Sequence, residues 1–215
     1  MQRLVRAAAA LRLGDLDPEQ VRRALTELAE AAFGDAEGVV RIQASRDGDG
    51  QLHLVGVPRP LGPEPPTWSA ILLPTPHDGA GLASGLKVSS RLTLALAAEA
   101  SADAGVDEAL LLDASDRLVE GARSNILVAG DGGQLATPPL ALGAVSGVAH
   151  GVVLERVPEV VERDVSKQAL LAAREIVAIN AVRGTCPITR LDGRPVGDGR
   201  PGAWAQRLAA ALARD

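Results

Sequence analysis

The stretch Ser84-Gly85-Leu86-Lys87, followed by Arg91-Leu92, is the part of the sequence that most strongly indicates a fold and a chemistry. Lys87 is one of only two lysines in a chain whose 22 basic residues are otherwise arginines. A primary amine condenses with an aldehyde, whereas a guanidinium stays protonated and does not. A lysine in so arginine-rich a chain is therefore a candidate for covalent chemistry, with an ordinary surface lysine as the alternative interpretation.

The composition of the chain limits its class. The 215 residues, 47% of them hydrophobic, suit one large domain or two small ones with a real core. A net charge of −5 and the lack of a basic stripe with interleaved aromatic residues argue against nucleic-acid binding. Cys186 is the single cysteine, and the histidines share no ligand spacing, so neither an intramolecular disulfide nor a metal site is predicted.

The sequence contains no candidate membrane span, because no run approaches ~18 uninterrupted apolar residues. The first residues superficially resemble a leader peptide, but Arg12 interrupts the apolar run and no cleavage pattern follows. Residues 1–13 are better interpreted as an amphipathic helix that packs on the fold. The predicted location is the cytoplasm, without membrane association.

The pattern of apolar and turn-forming residues predicts an α+β fold in two domains. Helices are predicted at residues 1–13, 17–33, 92–104, 148–156, 166–174 and 201–213. Strands are predicted at residues 39–44, 52–57, 68–73, 108–112, 117–120, 125–128, 160–164, 176–179 and 187–191, with those between 108 and 128 forming a meander. The proline- and glycine-rich stretch 75–83 is interpreted as a linker between a domain of residues 1–74 and one of residues 84–215.

Four motifs follow one another along the chain. They are Ser84-Gly85-Leu86-Lys87 with Arg91; Asp107–Asp113 with Leu118-Val119-Glu120-Gly121 and Ser124-Asn125; Ala136–Leu140 with Val145-Ser146-Gly147-Val148-Ala149-His150; and Asn180-Ala181-Val182-Arg183-Gly184 with Leu191–Gly197. Their order and spacing are harder to obtain by chance than any one of them.

Together these motifs resemble the class IV aminotransferases, the pyridoxal-phosphate enzymes of fold type IV. That family includes branched-chain aminotransferase, D-amino acid aminotransferase and aminodeoxychorismate lyase. The resemblance covers essentially the whole chain, and the segments around Lys87 and Asn180-Ala181 look most like the lyase branch. It implies a two-domain architecture like that of D-amino acid aminotransferase, pyridoxal 5'-phosphate as cofactor, a homodimer, and an amino acid or aminodeoxychorismate as the small-molecule substrate.

The resemblance also implies the roles of particular residues. Lys87 holds the cofactor as an imine and then moves the substrate's α-proton, while Glu120 faces the pyridine nitrogen and keeps it protonated. The resemblance further implies that the cofactor's phosphate and its surroundings are contacted by Gly147, Val148, Ala149, Asn180, Ala181 and Arg3. It implies that the substrate is contacted by Arg91, Ala181 and Val182. A helix N-terminus and a planar guanidinium both suit a phosphate dianion.

The sequence departs from the family pattern in three places. The usual Gly-Ile-Thr-Arg of the phosphate loop is Gly-Val-Ala-His here, so Ala149 lacks the threonine hydroxyl, and Ala181 replaces a second hydroxyl. In the family, a segment with an Asp-Arg…Tyr-Gly-Asp-Gly type motif precedes the helix that carries the phosphate-binding arginine, matched here by Arg3, so the small N-terminal domain is expected to be truncated. Three readings therefore stay open: an amino acid transaminase, an aminodeoxychorismate lyase, or an impaired paralogue that binds the cofactor weakly.

Overall fold

The predicted mixture of helices and strands is present in the computed structural model, which describes residues 1–74 and 76–213. The helices are α1 (Gln2–Ala10), α2 (Pro18–Phe33), α3 (Leu92–Asp103), α4 (Val148–Arg156), α5 (Lys167–Leu171) and α6 (Ala203–Leu212), with a 3-10 turn at Leu140–Leu142. The strands are β1 (Gly38–Arg46), β2 (Leu52–Pro60), β3 (Trp68–Leu72), β4 (Glu108–Leu112), β5 (Leu118–Gly121), β6 (Asn125–Ala129), β7 (Leu135–Thr137), β8 (Val161–Glu162), β9 (Glu175–Asn180), β10 (Gly184–Leu191) and β11 (Arg194–Pro195). The chain forms two units, Met1–Glu64 and Pro65–Asp215.

The smaller unit combines helices α1 and α2 with the antiparallel hairpin of β1 and β2. Helix α2 begins as the sequence predicts, because the Asp17 side chain accepts a hydrogen bond of 2.9 Å from the Glu19 N–H and Pro18 occupies the first helical position. The turn of the hairpin is held by Asp47 Oδ1, which accepts from the Asp49 N–H at 3.0 Å and the Gln51 N–H at 2.8 Å. Both local predictions are confirmed.

The larger unit is built on one mixed sheet with the strand order β5-β4-β3-β10-β9-β6-β7-β8, and β11 pairs with β10. Strand β3 runs parallel to both of its neighbours, β4 and β10. Four of the sheet's strands are buried along their whole length: β4, β5, β6 and β7. Their side chains form the core together with side chains of β3, β9, β10, α4 and α6. Of these strands, β5 carries Glu120 and β6 carries Asn125 of the site described below.

Two predictions about organisation are corrected by the strand pairing. The predicted linker at residues 75–83 assigned the third strand to the smaller domain, whereas β3 pairs with β4 and β10 inside the larger unit. The meander is also wrong, because β6 pairs with β9 and β7 rather than with β5. In both cases the true partner is distant in sequence, and local patterns carry no information about such pairing.

The predicted linker is part of the larger unit. The Leu73 N–H donates to the Leu110 carbonyl at 3.0 Å, and the His77 N–H donates to the Leu112 carbonyl at 2.6 Å, so the segment follows the end of β4. Further along, Gly85 forms a parallel bridge with Val145. This segment thereby forms one wall of the candidate site. Within residues 1–74 and 76–213, every helix is too short or too polar to cross a bilayer.

Candidate active site

The backbone of Val145 joins three of the four sequence motifs. Its N–H donates to Glu120 Oε2 at 3.0 Å, and its carbonyl accepts from Asn125 Nδ2 at 3.0 Å. Val145 also bridges to Gly85, whose carbonyl accepts from the Ser146 N–H at 3.0 Å. The segment that leads to Lys87, the carboxylate of the second motif and the loop that opens α4 are therefore connected directly.

Glu120 is a buried carboxylate, 3% exposed, at the end of β5. Its Cα partner across the sheet is Leu111 of β4. A buried charge needs hydrogen-bond donors, and the Val145 N–H is one of them. The burial of Glu120 distinguishes it from an ordinary exposed acid at a strand end.

A second buried acid, Glu108, fixes the turn that follows Glu120. The Ser124 hydroxyl donates to Glu108 Oε2 at 2.6 Å, and the Ala109 N–H donates to Oε1 at 3.0 Å. Burial raises the pKa of Glu108, while these hydrogen bonds and the nearby Arg123 charge act in the opposite direction. Glu108 lies against Gly121, where a Cβ would come within 2.9 Å of its carboxyl carbon. Its role is therefore to hold the strand end that carries Glu120.

His77 is the second side chain in contact with Glu120. Its Nε2 lies 3.2 Å from Glu120 Oε1, and both side chains are buried, with exposures of 8% and 4%. The Gly79 N–H donates to His77 Nδ1 at 3.0 Å. The sequence suggested no role for His77 because the contact arises only when residues 76–79 follow the end of β4. The turn-forming residues around His77 do not indicate that the chain runs along the end of β4.

A pocket of about 280 Å³ opens beside Glu120. It is lined by residues of the predicted linker, of the lysine segment and of the loop before α4, including His77, Ser84, Leu86, Val88, Arg91, Glu120 and Val145. Ser84 Oγ is buried and has no hydrogen-bond partner among the described residues. An unpaired buried hydroxyl at a pocket is a site at which a ligand can supply the missing hydrogen bond.

The third motif forms the N-terminus of α4, with Gly147 as N-cap. No side chain in the described part of the chain caps this end, so the first helical N–H groups are free to bind an anion. A Cβ on Gly147 would collide with Asn125 Oδ1, which explains why this position requires glycine. Val148 is exposed and Ala149 is buried, so the helix start presents backbone donors but no hydroxyl from these two positions.

His150, which stands where the family pattern has arginine, is directed into the core. It is 1% exposed, and its Nε2 lies 3.3 Å from Thr137 Oγ1. Because the Thr137 hydroxyl donates to the Ile126 carbonyl, it accepts from the imidazole. Burial lowers the pKa of His150, with a smaller opposing effect from Glu162. His150 therefore links α4 to β7 through this hydrogen bond and contributes to the packing of the helix.

The fourth motif is the turn between β9 and β10. Asn180 Oδ1 accepts from the N–H groups of Val182 at 2.9 Å and Arg183 at 2.8 Å, and the side chains of Ala181 and Val182 are exposed. Ile179 pairs with Asn125, which contacts Val145 and Gly147. This turn consequently lies at the same end of the sheet as the loop before α4.

The remaining predicted residues differ in their placement. Arg91 is half-buried at the start of α3 and lines the pocket with Glu120. The Lys87 side chain is exposed, although Leu86 and Val88 on either side line the pocket. Arg3 lies on α1 of the smaller unit, where burial, assisted by the charge of Arg6, lowers its pKa. The structure thus groups the acid, the helix start and Arg91 around one region of the larger unit.

Comparison with known proteins agrees with this arrangement. The sequence pattern of the amino-transferase class IV family matches residues 1–191. The chain belongs to the class IV aminotransferases. The resemblance deduced from the four motifs is thereby confirmed, and so are the α+β fold of type IV and pyridoxal 5'-phosphate as the cofactor of the family.

Individual class IV aminotransferases resemble the chain to different extents. A provisionally assigned branched-chain-amino-acid aminotransferase of Methanocaldococcus jannaschii is 33% identical over 109 residues, which are 49% of this chain and 38% of that protein. A hypothetical aminotransferase of Mycobacterium tuberculosis, solved in its PLP-bound form, superimposes with a TM-score of 0.81 at 22% identity, over 98% of this chain and 80% of its own. A provisionally assigned 4-amino-4-deoxychorismate lyase of Legionella pneumophila gives a TM-score of 0.84 at 17% identity, over 98% and 82%.

The contact between Gly147 and Asn125 leads to a prediction for this class IV aminotransferase. Gly147→Ala should lower the free energy of unfolding by about 1–3 kcal/mol, because the added methyl group displaces Asn125 from the Val145 carbonyl. Urea denaturation measures the loss. Gly151→Ala, in the same helix with open space around the added carbon, is the control and should be neutral or stabilising. In an Asn125→Ala background, Gly147→Ala should cost clearly less, and strict additivity would contradict the proposed contact.

Proposed function

We propose that this chain is a pyridoxal-phosphate-dependent enzyme that acts on a small amino compound, as an amino acid transaminase or as a 4-amino-4-deoxychorismate lyase. The observation that carries the proposal is the buried Glu120, which faces a pocket formed by the lysine segment and is tied through Val145 to the free N-terminus of α4. A buried anion and an uncapped helix start, held on one loop, form a pair of sites for a ligand with a basic ring at one end and a phosphate at the other.

The residues present fit pyridoxal 5'-phosphate in chemical type. Glu120 would accept a hydrogen bond from the ring nitrogen, the N–H groups at Gly147, Val148 and Ala149 would hold the phosphate, and Ser84 Oγ has an unmet hydrogen bond at the pocket. When bound, the cofactor supplies an aldehyde that reacts with an amine and a ring that accepts electrons from the substrate. The Lys87 amine is the proposed partner of that aldehyde.

The chemical contribution of each residue follows from its surroundings. Glu120 is buried, and its carboxylate would keep a proton on the ring nitrogen, an interaction that is stronger away from bulk water than in it. The Lys87 amine, once released, is the proposed base that removes the proton from the substrate's α-carbon. Arg91 at the pocket suits a substrate carboxylate, which a guanidinium binds through two hydrogen bonds. Arg3 is proposed as an additional phosphate ligand, as the resemblance implies.

The turn at Asn180 supports the proposal because it lies at the same end of the sheet as Asn125 and the α4 loop. Asn180 and Ala181 are proposed to line the phosphate side, and Ala181 and Val182 the substrate side. The exposed side chains of Ala181 and Val182 are available for such contacts.

The choice between transaminase and lyase rests on different similarities. Sequence similarity favours transamination, since the M. jannaschii relative carries a branched-chain aminotransferase name. The motif around Lys87 favours the lyase reaction, whereas the fold is common to both, since an aminotransferase and a lyase structure superimpose with TM-scores of 0.85 and 0.84. Lys87 is the proposed base for the substrate's α-proton in either reaction, so the two reactions would share the residues described above. An assay for amino transfer from leucine to 2-oxoglutarate and an assay for pyruvate release from aminodeoxychorismate distinguish them.

A second candidate function is that of a paralogue that keeps the fold but binds the cofactor weakly. Ala149 and Ala181 contribute no hydroxyl where the family pattern has one, and the Lys87 side chain is exposed rather than enclosed. This protein would bind pyridoxal 5'-phosphate with low affinity and would show little turnover in either assay. The buried Glu120 counts against it, because a carboxylate without a use in the site is costly to bury.

The cofactor assignment predicts that borohydride will fix pyridoxal 5'-phosphate to Lys87. The purified protein given the cofactor should develop a visible absorbance band, and peptide mass spectrometry after reduction should find the label on the peptide that contains residue 87. Lys87→Arg should abolish the label, because a guanidinium does not react with the aldehyde. Lys167→Arg, the matched change at the other lysine, should leave it intact. Label at Lys167, or none at all, would overturn the assignment.

The role of Glu120 predicts a loss in turnover rather than in cofactor affinity. Glu120→Gln keeps the size of the side chain but removes the anion, so kcat should fall on the order of 10²-fold in whichever of the two assays the wild-type enzyme supports. Cofactor affinity, measured by fluorescence titration, should change much less, since the charge acts mainly where charge develops in the transition state. Glu99→Gln, at an exposed position on α3, is the control. Normal turnover of Glu120→Gln would remove this residue from the mechanism.

We further propose that the enzyme is a homodimer, as the resemblance implies. Exposed leucines on α3 give some support, because Leu92 is 71% and Leu96 is 53% exposed. Light scattering at micromolar concentration should report a mass near twice 22.1 kDa. A mass that stays at the monomer value throughout that concentration range would refute the dimer.

A further inference from the structure

We infer that His77 is a positioning residue, which acts as a neutral hydrogen-bond donor that fixes the carboxylate plane of Glu120 toward the pocket. This inference rests on the proposed function, because it gives Glu120 the task of meeting a protonated ring nitrogen. It adds to the proposed mechanism a residue that lies outside the four sequence motifs, and it assigns that residue a specific tautomer.

The tautomer follows from the two contacts of the imidazole. His77 Nδ1 accepts a hydrogen bond of 3.0 Å from the Gly79 N–H, so in the neutral ring this nitrogen carries the lone pair. The proton then lies on Nε2, which is 3.2 Å from Glu120 Oε1 and donates to it. The ring can form both contacts as a neutral group, and a second proton on Nδ1 would break the bond from Gly79.

Glu120 needs such a donor because its last torsion is soft. Rotation about the bond between a methylene group and a carboxylate is broad and roughly two-fold, so the side chain alone does not fix the plane of the oxygens. The Val145 N–H holds Oε2 at 3.0 Å, and His77 holds Oε1. Two donors on different oxygens fix the plane, and each oxygen retains a second acceptor site for a ligand.

A neutral donor also preserves the charge that the site requires. A lysine or an arginine at position 77 would pair with Glu120 as a cation and compete with a protonated ring nitrogen for the same anion. The other charged groups that line the pocket are Asp78 and Arg91, and Asp78 accepts a hydrogen bond of 2.6 Å from Thr93 Oγ1. Through its Nε2–H, His77 contributes orientation without neutralising the carboxylate.

The fold holds both members of the pair against β4, His77 from the segment after β3 and Glu120 from β5. The His77 N–H donates to the carbonyl of Leu112 at 2.6 Å, while Glu120 is the Cα partner of Leu111. Gly79 has a φ of +77°, a conformation that glycine adopts readily, and this turn brings its N–H back onto His77. The donor and the acceptor are therefore held by adjacent residues of one buried strand.

Substitution of His77 by glutamine or by asparagine tests its contacts with Glu120 and with Gly79 separately. In His77→Gln the side-chain nitrogen takes a place close to that of Nε2 and can still donate to Glu120. In His77→Asn the shorter amide can accept from the Gly79 N–H but does not reach Glu120. We expect His77→Asn to lower kcat by about tenfold with little change in KM, because it loses a hydrogen bond to a charged group. His77→Gln should restore most of that loss.

The double variant tests whether His77 acts through Glu120. In the Glu120→Gln background, His77→Asn should reduce kcat by less than about twofold, since the carboxylate that it orients is absent. A full additional tenfold loss would show that His77 acts elsewhere. Equal kcat values for His77→Asn and the wild type would overturn the inference while leaving the proposed function intact.

A measurement on the cofactor-free protein makes the inference independent of activity. Nitrogen-15 NMR of the imidazole at about pH 9, where free histidines are neutral, should show the proton of His77 on Nε2. Its signals are identified by their loss in His77→Asn, and Glu120→Gln should shift them, whereas Glu99→Gln should not. A proton on Nδ1, or signals insensitive to Glu120→Gln, would overturn the inference even if the cofactor label appears at Lys87. If the label fails but this tautomer is found, the proposed function fails and the hydrogen-bond geometry stands.

Discussion

The hydrogen bond from the Val145 N–H to Glu120 is the interaction on which the arrangement of the site depends. It satisfies one oxygen of a buried carboxylate and at the same time fixes the loop that opens α4. The Val145 carbonyl and the Gly85 bridge extend the same connection to Asn125 and to the lysine segment. Loss of the charge at position 120 would therefore affect the ring side of a bound cofactor, while loss of the loop geometry would affect its phosphate side. One residue's backbone couples the two ends of the proposed cofactor site.

The buried acids of the larger unit show how the fold supports a functional charge. Glu108 accepts hydrogen bonds from Ser124 and Ala109 and thereby stabilises the turn after β5. Glu120 has its donors arranged differently, one from the backbone and one from His77, and it lies at the pocket. The same chemical group thus serves structure in one position and the proposed chemistry in the other. The difference lies in the access to the pocket, because both carboxylates are buried.

The departures from the family pattern have separate physical consequences. His150, in place of arginine, packs against Thr137 and stabilises α4 from within, so this change concerns packing. Ala149 removes a hydroxyl from the start of the same helix, and the anion site there depends on backbone N–H groups and on the helix dipole. The exposed Lys87 side chain has its neighbours Leu86 and Val88 on the pocket. Cofactor affinity and turnover are consequently the two properties that separate an active enzyme from a weakly binding paralogue.

The sequence by itself determined the local elements and the family. The capped start of α2, the hairpin turn at Asp47 and the limits of β4 and α4 depend on neighbouring residues, so their signals lie in short stretches of sequence. Motif resemblance predicts Glu120 and Gly147 as site residues, and the structure connects Glu120 to the Val145 backbone and places Gly147 against Asn125, which bonds to the same backbone. Only the tertiary structure decided that β3 belongs to the larger unit, that β6 pairs with β9, and that His77 meets Glu120. These features depend on strands and loops that are far apart in sequence. The pairing that forms is the one that buries the most surface and satisfies the most backbone hydrogen bonds, and composition and periodicity do not specify which long-range partners those are.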